Sequence, residues 1–185
     1  SLGNKIVFEE TNHSLGLTFL YSWQASSRYG FVKKTKLINH SKVKLNVKLI
    51  DGLRNILPAG LELRTQQEMS NLANAYKVSE CNPDYNYALY YMNALLMDKP
   101  DPGESLFANM VWSFSEEKFE LSVNQKSINT FLNDQCFTGD LLIKGKEGSF
   151  LNYIEKSLDQ NHEMCWYIVA DVQKSQSDIV GIVSD

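Results

Sequence analysis

The sequence predicts a mainly β protein, an antiparallel β-sandwich with one or two short helices. Three observations predict it. Several stretches alternate polar and apolar residues with a period of two, most cleanly over 43–50. There Val43, Leu45, Val47 and Leu49 fall on one side, with Lys42, Lys44, Asn46 and Lys48 on the other. β-branched and aromatic residues concentrate in such runs, as in WYIVADV over 166–172. The connectors between runs are short and rich in Asn, Ser, Pro and Gly, the residues that turn a chain between strands. With 185 residues, 43% hydrophobic and 22% charged, the chain fits one large sandwich domain spanning 1–185.

In order along the chain, 6–9 and 15–23 read as strands joined by the turn formers Thr11-Asn12-His13-Ser14. Residues 29–38 and 43–50 form the next two, and the short Asn39-His40-Ser41 turn predicts an antiparallel hairpin between them. The stretch 51–58, DGLRNILP, reads as a turn leading out of the sheet. Over 61–76 the apolar period lengthens to that of a helix, carried by Leu61, Met69, Leu72, Ala73 and Tyr76. A tyrosine-rich strand follows over 85–96, then a loop over 98–103 marked by Pro100, Pro102 and Gly103. Residues 106–114 and 118–123 read as a strand pair around Ser115-Glu116-Glu117. The weakly periodic 127–148 reads as loop with short strands, 150–158 fits strand or helix, and 164–172 is a strand. A new amphipathic element starts at 175, and no internal repeat is present.

Composition excludes several functions. The formal net charge of −4 argues against binding a phosphate backbone, so no nucleic-acid partner is expected. Six lysines, Lys33, Lys34, Lys36, Lys42, Lys44 and Lys48, cluster on the second and third strands, but no aromatic residue interleaves them. They read as a solvated strand face that discourages edge pairing. No apolar run approaches the ~20 residues that span a bilayer, so no membrane partner is expected. Cys81, Cys136 and Cys165 are dispersed and odd in number, which predicts buried free thiols and neither zinc nor a disulfide framework. The start Ser1-Leu2-Gly3 lacks a methionine and a signal-peptide pattern, and reads as a cloning remnant or a cut within a longer chain.

No motif carries reaction chemistry. There is no GxSxG or glycine-rich phosphate loop. His13, His40 and His162 all stand in turn-like contexts, a weak basis for a base or a metal site. Glu9-Glu10, Glu116-Glu117, Asp98 and Asp101 are acidic, but none forms a pair singled out for glycoside hydrolysis. The reading is therefore no catalytic residue, no metal and no cofactor. Aromatic rings that stack on sugar faces are plentiful, and Trp23, Tyr29 and Trp112 are the candidate carbohydrate-binding residues. Asn12-His13-Ser14 and Asn39-His40-Ser41 each match the N-glycosylation acceptor triplet.

Four blocks, YSWQASSRYGFVKKTKLINHS, VKLIDGLRNILPAGLE, SNLANAYK and WYIVADVQKSQSDI, resemble the N-terminal region of large bacterial proteins related to cellobiose phosphorylase. The resemblance covers most of the chain and is vaguest over 85–150. It implies a β-supersandwich similar to the galactose mutarotase fold, followed in the same chain by an (α/α)6 barrel that carries the catalytic acids. It further implies a non-catalytic accessory domain of a glycoside hydrolase or phosphorylase, in the bacterial cytoplasm or periplasm. The expected partners are that downstream domain and an oligosaccharide. A self-sufficient carbohydrate-binding module and an epimerase-like sandwich enzyme are the alternatives. The catalytic histidines and glutamate of free-standing mutarotases find no counterparts at His13, His40 or His162.

Overall fold

The structure, a computed structural model, describes residues 3–94 and 106–184. It is built from eleven strands and four short helices among the described residues: β1 (Lys5–Asn12), β2 (Leu17–Ala25), β3 (Phe31–Asn39), β4 (Leu45–Ile56), α1 (Leu63–Glu68), α2 (Ser70–Tyr76), β5 (Lys77–Asn82), β6 (Tyr87–Met92), β7 (Phe107–Ser115), β8 (Glu120–Ser122), α3 (Lys126–Leu132), β9 (Leu142–Lys144), β10 (Gly148–Leu158), β11 (Glu163–Ser175) and α4 (Gln176–Ser184). Eight strands form one antiparallel sheet in the order β1-β2-β3-β11-β7-β6-β5-β9, and three form a second in the order β4-β10-β8. The expected mainly β, antiparallel sandwich is what the chain forms, with more helices than anticipated. The loop expected at 98–103, with Asp98 and Asp101, lies outside the described residues.

The core fills the gap between the sheets. Leu37, Ala88, Tyr90, Val111, Met164, Trp166 and Ile168 from the large sheet meet Leu121, Phe150, Ile154 and Leu158 from the small one. Register explains which residues point inward, because directly opposed residues share a face. Trp166 opposes Thr35 and Ser115, and Ile168 opposes Lys33 and Ser113, so these side chains all face the small sheet. A second, smaller cluster of Leu61, Ala73 and Met92 lies under α1 and α2.

Several local expectations change. The 39–41 turn does not close a hairpin: β3 pairs with β2 and β11, while β4 crosses into the other sheet. Alternation reports which face is buried, and says nothing about which sheet a strand joins. DGLRNI is not a turn but the second half of β4, paired with β10 through Asp51–Asn152 and Leu53–Phe150. Gly52 is required there, since a Cβ would lie 1.9 Å from the Phe150 carbonyl oxygen. The helix expected over 61–76 is broken at Met69, whose ψ of 41° departs from helical geometry just before the weak helix formers Ser70 and Asn71. Strand β8 pairs with β10 rather than β7. The segment 150–158 is a strand, and α3 occupies part of the stretch read as loop. Cys136 is exposed rather than buried.

Lys33 is the clearest departure from the solvated-lysine reading. It is 6% exposed and faces the core, paired with Asp51 of β4 across the sandwich. Asp51 Oδ2 also accepts hydrogen bonds from Trp166 Nε1 (2.8 Å) and Thr35 Oγ1 (3.3 Å). At the end of the sandwich, Asn39 is fully buried and joins the β3–β4 and β10–β11 loops. Its Nδ2 donates to the carbonyls of Val43, Leu158 and Asp159, while its Oδ1 accepts from the Ser41 N–H and hydroxyl. The loop is completed by His40 N–H donating to Gly16 O at 2.7 Å. Gly16 has φ +65°, and a Cβ there would lie 3.0 Å from the Ser41 Cβ, so a larger residue meets both backbone strain and crowding.

Lys77 is 1% exposed on β5, and its Nζ has no hydrogen-bond partner. Burial lowers its pKa below the ordinary value. The folded chain therefore holds this proton less tightly than the unfolded chain. The cost of the buried charge is full at low pH and is relieved as pH rises through the lowered value. Lys77→Met is expected to stabilise the fold by about 1–3 kcal/mol at neutral pH, by removing an unpaired buried ammonium. Urea denaturation at pH 7 and pH 10 checks both parts, because the variant gains less between the two than the parent does.

Candidate functional site

The outward face of the eight-stranded sheet carries a strip of aromatic side chains, set by the same register that fills the core. On β7, Trp112 and Phe114 alternate with the inward Val111 and Ser113. Trp112 opposes Tyr87 of β6 and Val169 of β11, and Phe114 opposes Tyr167 of β11. Two adjacent rows of rings result. In one, Phe114 and Tyr167 stack at 4.6 Å with their planes 8° apart. In the other, Tyr29 meets Trp112 edge-on at 5.4 Å and 86°. Phe114 is 51% exposed, and Trp112, Tyr29, Tyr87 and Tyr167 are half-buried.

Charges border the strip. Lys34 Nζ lies 5.3 Å from the centre of the Tyr167 ring, and the adjacent Tyr167 holds the ammonium above the usual lysine range. Arg28 lies 5.0 Å over Tyr29. Beyond Phe114 and Tyr167 opens a cleft of about 500 Å³ whose walls include Glu116, Glu117 and Glu163. Glu163 pairs with Lys36 at 2.7 Å, and Glu117 pairs with Lys156. A shallower cleft of about 420 Å³ lies at the other end, between Arg28, Tyr29 and α4. Helix α4 is fixed there by a reciprocal cap. Asp178 Oδ2 accepts from the Ser175 N–H at 2.9 Å, while Ser175 Oγ accepts from the Asp178 N–H at 3.3 Å. These Ser175 hydrogen bonds lower the Asp178 pKa.

The three sequence candidates divide between the two faces of the sheet. Tyr29 and Trp112 come together on the outward strip. Trp23 opposes Lys33 on β3 and Ile6 on β1, so it lies on the inward face, where it is half-buried. Sequence reasoning missed Phe114 as a platform ring and did not single out Tyr167. The available signal was the spacing of two from Trp112 to Phe114, which puts both rings on one face of a strand.

The remaining chemistry-bearing residues are dispersed. His13, His40 and His162 are exposed on connecting segments at the end where β3 gives way to β4. No histidine lines either cleft, and among the described residues no group of three His, Cys, Asp or Glu is placed to hold a metal ion. Burial raises the Cys81 thiol to about 11, well away from a thiolate at neutral pH. No helix among the described residues is long and apolar enough to cross a membrane.

No protein-family model and no curated protein matches the chain. Among solved structures it is similar to a heparinase III, at 11% identity and a TM-score of 0.44, over 94% of this chain and 20% of that one. It is also similar to a heparan sulfate lyase from Pedobacter heparinus, at 13% identity and a TM-score of 0.41, over 95% of this chain and 21% of that one. A third is a galactose mutarotase-like protein from Clostridium acetobutylicum, at 12% identity and 0.41, over 92% and 62%. The chain thus spans about a fifth of the length of the two heparin-related proteins.

Proposed function

We propose that the chain is a non-catalytic sandwich domain of a carbohydrate-active enzyme, of the galactose mutarotase-like supersandwich type, and that it holds a saccharide on the outward aromatic strip. The observation that carries this reading is the pair of ring rows, Trp112 with Tyr29 and Phe114 with Tyr167, on the solvent side of the large sheet. A sugar ring has an apolar C–H face and a polar rim. Aromatic rings match the first, and the bordering Lys34, Arg28 and glutamates offer partners to the second. The sequence resemblance supplies the enzyme context and a downstream (α/α)6 barrel as the place of the catalytic acids.

The alternative, a free-standing carbohydrate-binding module, uses the same strip without a catalytic partner. An epimerase-like enzyme needs a histidine and a carboxylate converging on one cleft, whereas the glutamate-lined cleft has no histidine in its walls.

Calorimetric titration with oligosaccharides tests the strip. Trp112→Ala is expected to weaken binding at least about tenfold, equivalent to about 1.4 kcal/mol. Trp23→Ala, on the opposite face, leaves binding unchanged. Absence of binding at millimolar saccharide, or equal loss in both variants, overturns the strip as a platform. Turnover of sugars or aryl glycosides by residues 1–185 alone overturns the non-catalytic assignment.

A further inference from the structure

Strand β1 is an edge with features that call for a partner. Among the described residues it pairs with β2 on one side and has no strand on the other. All eight of its residues are exposed, including Ile6 (59%), Val7 (53%) and Phe8 (46%). It contains no proline and no register shift against β2, two of the devices by which isolated edges are blunted, and the charges it does carry, Lys5, Glu9 and Glu10, are of opposite sign. Its inward side chains, Ile6 and Phe8, join Tyr21 and Trp23 in an apolar floor, and Phe8 stacks on Tyr21 at 4.9 Å. Ile6 and Phe8 stay exposed although they lie on the inward face.

We propose that β1 docks a second copy of this chain, pairing antiparallel with the β1 of that copy about a twofold axis through Val7. The register follows from charge. Opposed residues in such a pair must share a face, so their numbers must sum to an even value. Lys5 is the one cation on the strand, and Glu9 and Glu10 are its acids. Only the register with Val7 opposite Val7 sets Lys5 against a carboxylate on its own face, that of Glu9, and the twofold axis makes this contact twice. In the same register Ile6 opposes Phe8 on the inward face, again twice, and Glu10 opposes Asn4, so no like charges meet. The two sheets become one, and the Ile6–Phe8–Tyr21–Trp23 floors merge across the junction.

Sedimentation velocity over a concentration series tests this, with far-UV circular dichroism to confirm that each variant is folded. The chain is expected to be a concentration-dependent dimer. Lys5→Glu replaces two attractions with two repulsions and weakens the dimer by about tenfold or more. Adding Glu9→Lys to it restores the opposite charges in the same register and recovers dimerisation. Val7→Cys, in a chain whose exposed Cys136 is replaced by serine, is expected to form a disulfide-linked dimer on mild oxidation. A chain that stays monomeric at every concentration overturns the proposal. So does a dimer indifferent to Lys5→Glu, a double variant that is not rescued, or a Val7→Cys chain that fails to cross-link.

Discussion

Asp51→Ala is expected to remove about 3–5 kcal/mol of stability. The side chains of Asp51 and Lys33 are each 8% exposed, and they face one another between the sheets. Removing the carboxylate leaves a lysine cation in the core with no counter-charge. It also strands the Trp166 indole N–H and the Thr35 hydroxyl, both of which donate to Asp51 Oδ2. A buried donor without an acceptor costs its desolvation in full. Lys33→Met with Asp51→Leu is a different case, because both charges leave together and apolar surface replaces them. That double variant is expected to be more stable than Asp51→Ala. Urea denaturation followed by tryptophan fluorescence measures all three chains. An Asp51→Ala midpoint close to that of the parent would sink the idea that this pair is a closed unit.

Asn39→Ala is expected to cost about 3 kcal/mol, and Asn39→Asp at least as much. The two N–H groups of the Asn39 amide reach three carbonyl oxygens and its oxygen accepts two hydrogen bonds, tying together loops more than a hundred residues apart in sequence. Aspartate has nearly the same shape but no N–H, so its second oxygen would face three carbonyl oxygens. The comparison separates hydrogen bonding from packing. If the near-isosteric aspartate is tolerated and alanine is not, volume rather than the amide holds the loops.

Much of the fold was legible because alternation survives wherever one face of a strand is buried. Residues 43–50 show it, and so does the β11 run WYIVADV. What was not legible depended on partners distant in sequence. The Asn39 turn looked like a hairpin because nothing local distinguishes a turn within a sheet from a crossing between sheets. Lys33 looked like its solvated neighbours Lys34 and Lys36, since its counter-charge at Asp51 lies in a segment that itself read as a turn. The candidate site was half visible. Tyr29 and Trp112 were singled out from their chemistry, but pairing β7 with β11 is what stacks Phe114 on Tyr167 and places Trp23 on the other face.

The place of β11 in the large sheet bears on how the chain assembles. It is the last of the eight strands in sequence, yet it lies in the middle, between β3 and β7. Until it arrives, β1–β3 and β5–β7 can each form from short-range pairings, but they have no strand to join them. Two apolar half-sheets with raw edges therefore persist during synthesis until residues 163–175 emerge. Its pairs with β7, and the pairs with β3 that span well over a hundred residues, then close the sheet, which makes this strand the keystone of folding. A chain cut before it leaves two open edges that invite aggregation.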